Sequence, residues 1–457
     1  MSRNREKLLA GASQMDITPP LGTQIAGDIG RYRPVEQIRD PLFVRVLALR
    51  SGKSSVCIIT ADLCSFAGRD AWPLRCRVAE LLGTEPSHVL MHATQNHSGP
   101  SFGNCMIYEL SVPPGLEWIH GGDTRYSELF VERTLQAARA AVKALRPVTL
   151  KGARGVDGRV SFNRRFIARD GTGRFQPGRC DPDLLCPEGP ADAEASIAVL
   201  TDAKEQPVAA LLHHTCHPCH GYPHRWISAD WPGFWSQGVR NLLGGNCVAL
   251  TLNGFCGNII HSNPMDPDYR TNTYLMGEKL METTRKIQPN LKPLAAAPLR
   301  CATRSLRLPM RRIPAEELRR AQRLIARHPD PIWKDAEKSR IEWDWMYALA
   351  TLDLARRQER RPWFSFEIQV LRLGELAIIG WPGEPFVEAQ LELKKGSPAA
   401  LTFAAHECNE DAGYIPTRQA FTYGGYETRT ANWSPLDPGA LESCTAATKA
   451  ILRKAFR

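Results

Sequence analysis

Two kinds of hydrophobic pattern alternate along this chain. Short apolar runs bounded by Gly, Pro, Asn and Asp predict strands, and longer segments with apolar residues every three or four positions predict helices. LLAGASQMDITPP opens as a strand that stops at Pro19–Pro20. LFVRVLALRSGKSSVCIITADL predicts two strands about a Gly-Lys-Ser turn, because β-branched and apolar residues dominate both arms. DAWPLRCRVAELLG reads as a helix closing on Gly83, and SHVLMHATQNHSGP as a strand running into a Gly-Pro loop. An Ala-rich helix follows at Ser127–Leu145, then strands at Val148–Gly155, Ala195–Thr201 and Pro207–Leu212. Phe234–Leu243 and Thr273–Ile287 read as helices on either side of a strand at Cys247–Leu252. Beyond a charged, strongly helical segment at Pro314–Arg360 come strands at Phe364–Leu371, Glu375–Ile379 and Ala400–Ala404. A helix follows Pro385, and another closes the chain at Leu441–Ala455. This alternation predicts an α/β fold, a mixed β-sheet core flanked by helices. The expectation is one catalytic domain over residues 1–457, with a helical insertion at about 313–361 and a loop or lid at Gly171–Pro190.

Composition narrows the class. Hydrophobic content of 43% and charged content of 23% are ordinary for a soluble globular protein. No run of about twenty apolar residues is present, so no membrane-spanning helix is expected. The opening MSRNREKLLAG lacks the apolar stretch of a signal peptide, which predicts a cytoplasmic location. Thirteen cysteines, scattered without a framework, then read as free thiols. The net charge of +10 is spread along the chain, and its densest stretches, near Arg311–Arg327 and Arg356–Arg361, read as solvated helix faces. No nucleic-acid partner is expected.

Chemistry-bearing residues concentrate in loops that follow predicted strands. LLHHTCHPCHGYPH carries five of the twelve histidines, at His213, His214, His217, His220 and His224. ATQNHSGP holds His97, GWPGEP holds Glu384, and NEDAGYIPTRQAFTYGGYE holds Tyr414 and Tyr426. Loops after strands of one sheet can meet on one rim, where α/β proteins place their sites. A His/His/carboxylate set with a phenolic oxygen suits zinc with an open position. Cys216 and Cys219 frame His217 as C-x-x-C, which leaves a redox pair or half of a structural zinc site as an alternative. No G-x-S-x-G sits at a strand-to-helix turn, as a serine-hydrolase elbow would, and no G-x-G-x-x-G dinucleotide loop follows the first strand.

In order and spacing, several of these stretches resemble the catalytic domain of the neutral (non-lysosomal) ceramidases. The resemblance runs from LLAGASQMDITPP through HSGP, FNRR, HPC with ISADWPG, LNGFCGN and WPGEP to YIPT with GGYE, about residues 9 to 430. It implies a zinc ion that activates water for amide hydrolysis. It assigns His217, Glu384 and Tyr414 as metal ligands, and it places Tyr426 near the substrate. Arg164 in FNRR then matches an active-site arginine able to stabilise a developing oxyanion. Asn163 and Asn258 join Arg164 as candidate substrate contacts, and His97 joins Arg164 and Tyr426 as a candidate catalytic group.

The chain departs from that pattern at two positions. Gln95 stands where the family has its first histidine ligand, so His97, or a neighbour such as His92, is the candidate replacement. Ile260 stands near the position of a catalytic serine, with His261 beside it. A protein without the family's C-terminal immunoglobulin-like domain and secretion signal is expected. The expected activity is therefore zinc-dependent hydrolysis, or intramolecular acyl transfer to a cyclic product. Its substrate is expected to be a small, acylated biosynthetic amide, with no stable membrane insertion. The alternative is a metal-free, non-catalytic descendant that binds a ligand or partner.

Overall fold

A computed structural model describes residues 7–244 and 246–457. Its centre is a nine-stranded mixed sheet. The order along it is Val248–Asn253, Pro207–His214, Ser196–Asp202, Arg146–Ala153, Leu9–Asp16, Phe43–Ser51, Ser54–Ala61 and Val89–Ala93, with Lys292–Leu294 also pairing on Arg146–Ala153. Pro207–His214 runs parallel to Val248–Asn253, and Ser54–Ala61 runs parallel to Val89–Ala93. The other pairs of the sheet are antiparallel. A second sheet of four strands is ordered Leu299–Pro309, Trp363–Leu373, Leu376–Gly380, Leu401–Ala405, its last pair parallel.

The two sheets share one core. Leu47, Ile58, Leu90, Leu211 and Leu250 of the first pack in the same buried cluster as Leu373, Ile378 and Phe403 of the second. Strands buried on both faces read as unbroken apolar runs, which explains VCIITA and VAALL. Gly68–Leu82 and Thr124–Lys143 cover one half of the outer face of the large sheet, and Asp230–Leu243 and Thr273–Ile287 cover the other half. Val387–Lys395 and Ala440–Ala455 cover the small sheet. The layers therefore run helices, sheet, sheet, helices.

Most expected elements are present within two or three residues of their predicted bounds, including the left-handed Gly83 cap. The segment 314–360 is two helices, Ala315–Arg327 and Trp343–Arg360, separated by irregular chain. Among the strands of five or more residues, one has no counterpart in the prediction. Leu299–Pro309, LRCATRSLRLP, lies at an edge and is mostly solvated, so its arginines mask a strand alternation. No described helix is long and apolar enough to cross a membrane.

Candidate active site

Five strands end on the same side of the molecule, and the loops that follow them supply the site. Val89–Ala93 leads to Gln95 and His97, Pro207–His214 to His217 and Cys219, and Val248–Asn253 to Asn258. Leu376–Gly380 leads to Glu384, and Leu401–Ala405 to Tyr414. Glu384 and Tyr414 are themselves parallel neighbours in a two-residue ladder.

His97 and His217 meet with ring centroids 5.4 Å apart. Nδ1 of His97 lies 2.8 Å from the carbonyl of Gly27, and Nδ1 of His217 lies 2.9 Å from that of Cys256. Each Nδ1 therefore carries the proton, and each Nε2 presents a bare lone pair. Burial first, then the neighbouring imidazole, holds His97 neutral with a pKa near 3. Burial and then the Arg164 charge push His217 well below its ordinary value. His217 Nε2 lies 3.2 Å from Glu384 Oε2, yet among the described residues neither atom has a hydrogen-bond partner, and His97 Nε2 has none either. Lone pairs that face each other in a buried site are costly unless a cation lies between them. One ligand atom each from His97, His217 and Cys219 lies within 4.8 Å of the other two. Two oriented imidazoles, a carboxylate and a nearby thiol make a donor set that fits zinc.

Gly27 is required here. Its φ is +79°, and a Cβ added to it would fall 2.5 Å from His97 Nδ1.

Around this point lies a cavity of about 730 Å³, within the range of small-molecule sites. Arg164, Tyr414 and Tyr426 line it together with His97 and His217. Arg164 Nε donates to Glu427 Oε1 at 2.9 Å, and its guanidinium lies 5.3 Å from the centre of the Tyr414 ring. Burial opposes the Arg164 charge, but Tyr414, Glu427 and Glu384 outweigh it and raise the pKa. Its Nη2 is buried and has no acceptor. Tyr426 stands edge-on to Tyr414 at 5.5 Å, and burial keeps both phenols protonated.

Other expected residues sit elsewhere. Asn163 accepts from Arg165 N and donates to Pro190 O, so its amide braces a turn and does not line the cavity. Asn258 accepts from Val387 N and donates to Glu388, again away from the cavity wall. The Gln95 side chain lies 2.8 Å from His406 Nε2, at a positive φ of 64°. Both nitrogens of His92 are engaged, by His406 O and by Asn253 N–H, which leaves it no lone pair for a metal. Within the histidine cluster, His213 stacks on Phe403, His214 meets Trp231 edge-on, and His220 pairs with Asp230 at 2.7 Å. His261 stacks on His220 at 3.8 Å, and His224 stacks on Trp226. Cys216 faces the core while Cys219 lines the cavity, and all thirteen cysteines are free.

Several wall residues carried no readable signal. Behind the wall, Glu427 anchors both Arg164 and Arg165 from inside the quoted GGYE. Phe175 and Gln176 enter from the expected lid, and Trp343 and Tyr347 from the charged helical segment. Arg311 and Arg429 complete the mouth.

No protein family and no curated protein matches the sequence. Solved structures do match. Neutral ceramidase from Pseudomonas aeruginosa superposes with a TM-score of 0.74 at 16% identity, over 99% of this chain and 75% of that one. The fold is that of the neutral ceramidases. A second structure, a ceramidase complexed with C2, gives a TM-score of 0.72 at 14% identity, over 98% of this chain and 76% of its own. The neutral-ceramidase fold thus accounts for the mixed sheet and for the five strand ends that surround the cavity.

Proposed function

We propose that the protein is a zinc-dependent hydrolase of an amide C–N bond. The observation that carries this reading is a set of buried ligand atoms with no hydrogen-bond partner among the described residues: His97 Nε2 and His217 Nε2, which lie close together, and Glu384 Oε2, 3.2 Å from His217 Nε2. The neutral-ceramidase fold supports it. In this reading His97 takes the place of the ligand missing at Gln95, with Tyr414 beside the set and Cys219 within reach. Zinc held there would supply carbonyl polarisation and acidification of water.

The remaining roles belong to the chain. Arg164 Nη2, buried and unpaired, is aimed to accept negative charge developing on the carbonyl oxygen. Tyr426, protonated by its burial, is a proton donor for the leaving nitrogen. Trp343, Tyr347, Phe175 and Phe421 give the cavity aromatic sides against which an acyl chain would pack. A cavity walled in this way suits a small acylated amide released into solution better than a lipid within a bilayer.

The test is a metal-dependence assay on a panel of N-acyl anilides. Amidase activity should vanish after chelation and return with zinc. Tyr426→Phe should retain the metal while turnover falls about a hundredfold, the usual share of general acid catalysis. Activity indifferent to chelation would remove the zinc from the proposal.

A further inference from the structure

The cavity wall carries more positive charge than amide chemistry needs. Glu427, behind the wall, balances Arg164, so the lining leaves two arginines, Arg311 and Arg429, against one acid, Asp28. That acid is already paired with Arg31 at 2.7 Å.

Arg311 makes no ion pair among the described residues. It is largely buried, and Nη1 donates to the Thr428 carbonyl at 2.7 Å, which fixes the guanidinium. Its face lies 5.2 Å from the Phe421 ring centre. Burial pulls its pKa down, and the more distant Glu317 and Asp437 offset this only in part. A guanidinium oriented in this way, without a carboxylate, has donors left for an anion from outside the chain. Arg429 adds a second charge at the mouth. It stacks on the Tyr347 ring at 3.4 Å, and its contact with the exposed Asp344 is a loose 3.6 Å. Phe421 and Tyr347, on which these two cations rest, line the same cavity as Arg164 and the imidazoles.

We propose that the amide taken by this site carries a carboxylate remote from its scissile bond. Arg311 holds that carboxylate, Arg429 stands beside it, and an apolar spacer lies along the aromatic walls. The inference rests on the amidase reading, since it takes the imidazole pair as the reacting end. It goes beyond that reading by naming the substrate class, an acylated amide with an anionic terminus.

The test uses matched zinc-directed probes on the zinc-supplemented full chain. Adipic, suberic and sebacic acid monohydroxamates are titrated against hexanoyl, octanoyl and decanoyl hydroxamates. At least one dicarboxylate probe should bind about tenfold more tightly than its uncharged counterpart. That ratio should fall towards one in Arg311→Gln and be partly kept in Arg311→Lys. Arg429→Gln, a change at an exposed side chain, should reduce the ratio without a folding complication. Equal affinities for charged and uncharged probes in the wild type would overturn the carboxylate inference and leave the metal site standing. Failure of every hydroxamate to bind would overturn both.

Discussion

Among the individual residues, His217, Glu384, Tyr414, Tyr426 and Arg164 were legible because each sits in a short motif just after a strand. The structure sets His217, Tyr414, Tyr426 and Arg164 with His97 around one cavity, and Glu384 behind it against His217. The fate of the Gln95 position could not be read. His92 and His97 both stood near it, and only the hydrogen bonds show which has a free lone pair. Arg311 and Arg429 were invisible for another reason, since a lone arginine in a polar segment has no local pattern. Glu427 permits a direct test. It is fully buried between Arg164 and Arg165, at 2.9 and 2.6 Å. Glu427→Gln should strip the buried Arg164 of its carboxylate, leave Arg165 with Glu188 alone, and cost about 3 kcal/mol in urea unfolding. A loss below about 1 kcal/mol, the range of surface pairs, would mean that water reaches the pair.

Among the elements, the strands and helices were readable from periodicity, and their convergence was not. Period 2 and period 3.6 say which residues share a face, but not which loops meet after the chain has crossed between sheets. The edge strand Leu299–Pro309 was missed because its outward positions are arginine and serine and few of its residues are buried. The loop around Gly27 was also silent in sequence, though it sets the His97 tautomer through its carbonyl. Gly27→Ala should therefore displace the His97 ring and weaken zinc retention at least tenfold, the usual effect of losing an outer support to a metal ligand. Competition with a colorimetric chelator measures this, and unchanged affinity would separate His97 from the metal.

At the scale of the whole molecule, buried titratable groups set an acid limit on stability. His92, His261 and His406 are held to about 3, 3 and 4, chiefly by burial, and burial depresses His213 and His214 as well. Their unfolded values are about 6.5, so the unfolded chain binds more protons as pH drops below that, and folding loses stability. Burial raises Glu407, Glu410 and Asp411, the last two to about 7, and these groups act in the opposite direction. They favour the fold fully below their ordinary pKa and lose that contribution as pH rises towards about 7. Burial also raises Asp28, Glu188 and Glu388, but seven depressed imidazoles, His97 and His217 included, outweigh these six carboxyls between about pH 5 and 6.5, so the melting temperature should rise with pH across that interval. A flat or falling profile would contradict the burial of the imidazoles as neutral groups.

The central claim is that His97, His217 and Glu384 form one metal site, and elemental analysis of protein purified without chelator tests it most directly. The account predicts about one zinc per chain in the wild type and less than about a tenth of that in His217→Ala and in Glu384→Ala. Wild-type protein free of metal and unresponsive to added zinc would contradict it, as would zinc retained in both alanine variants.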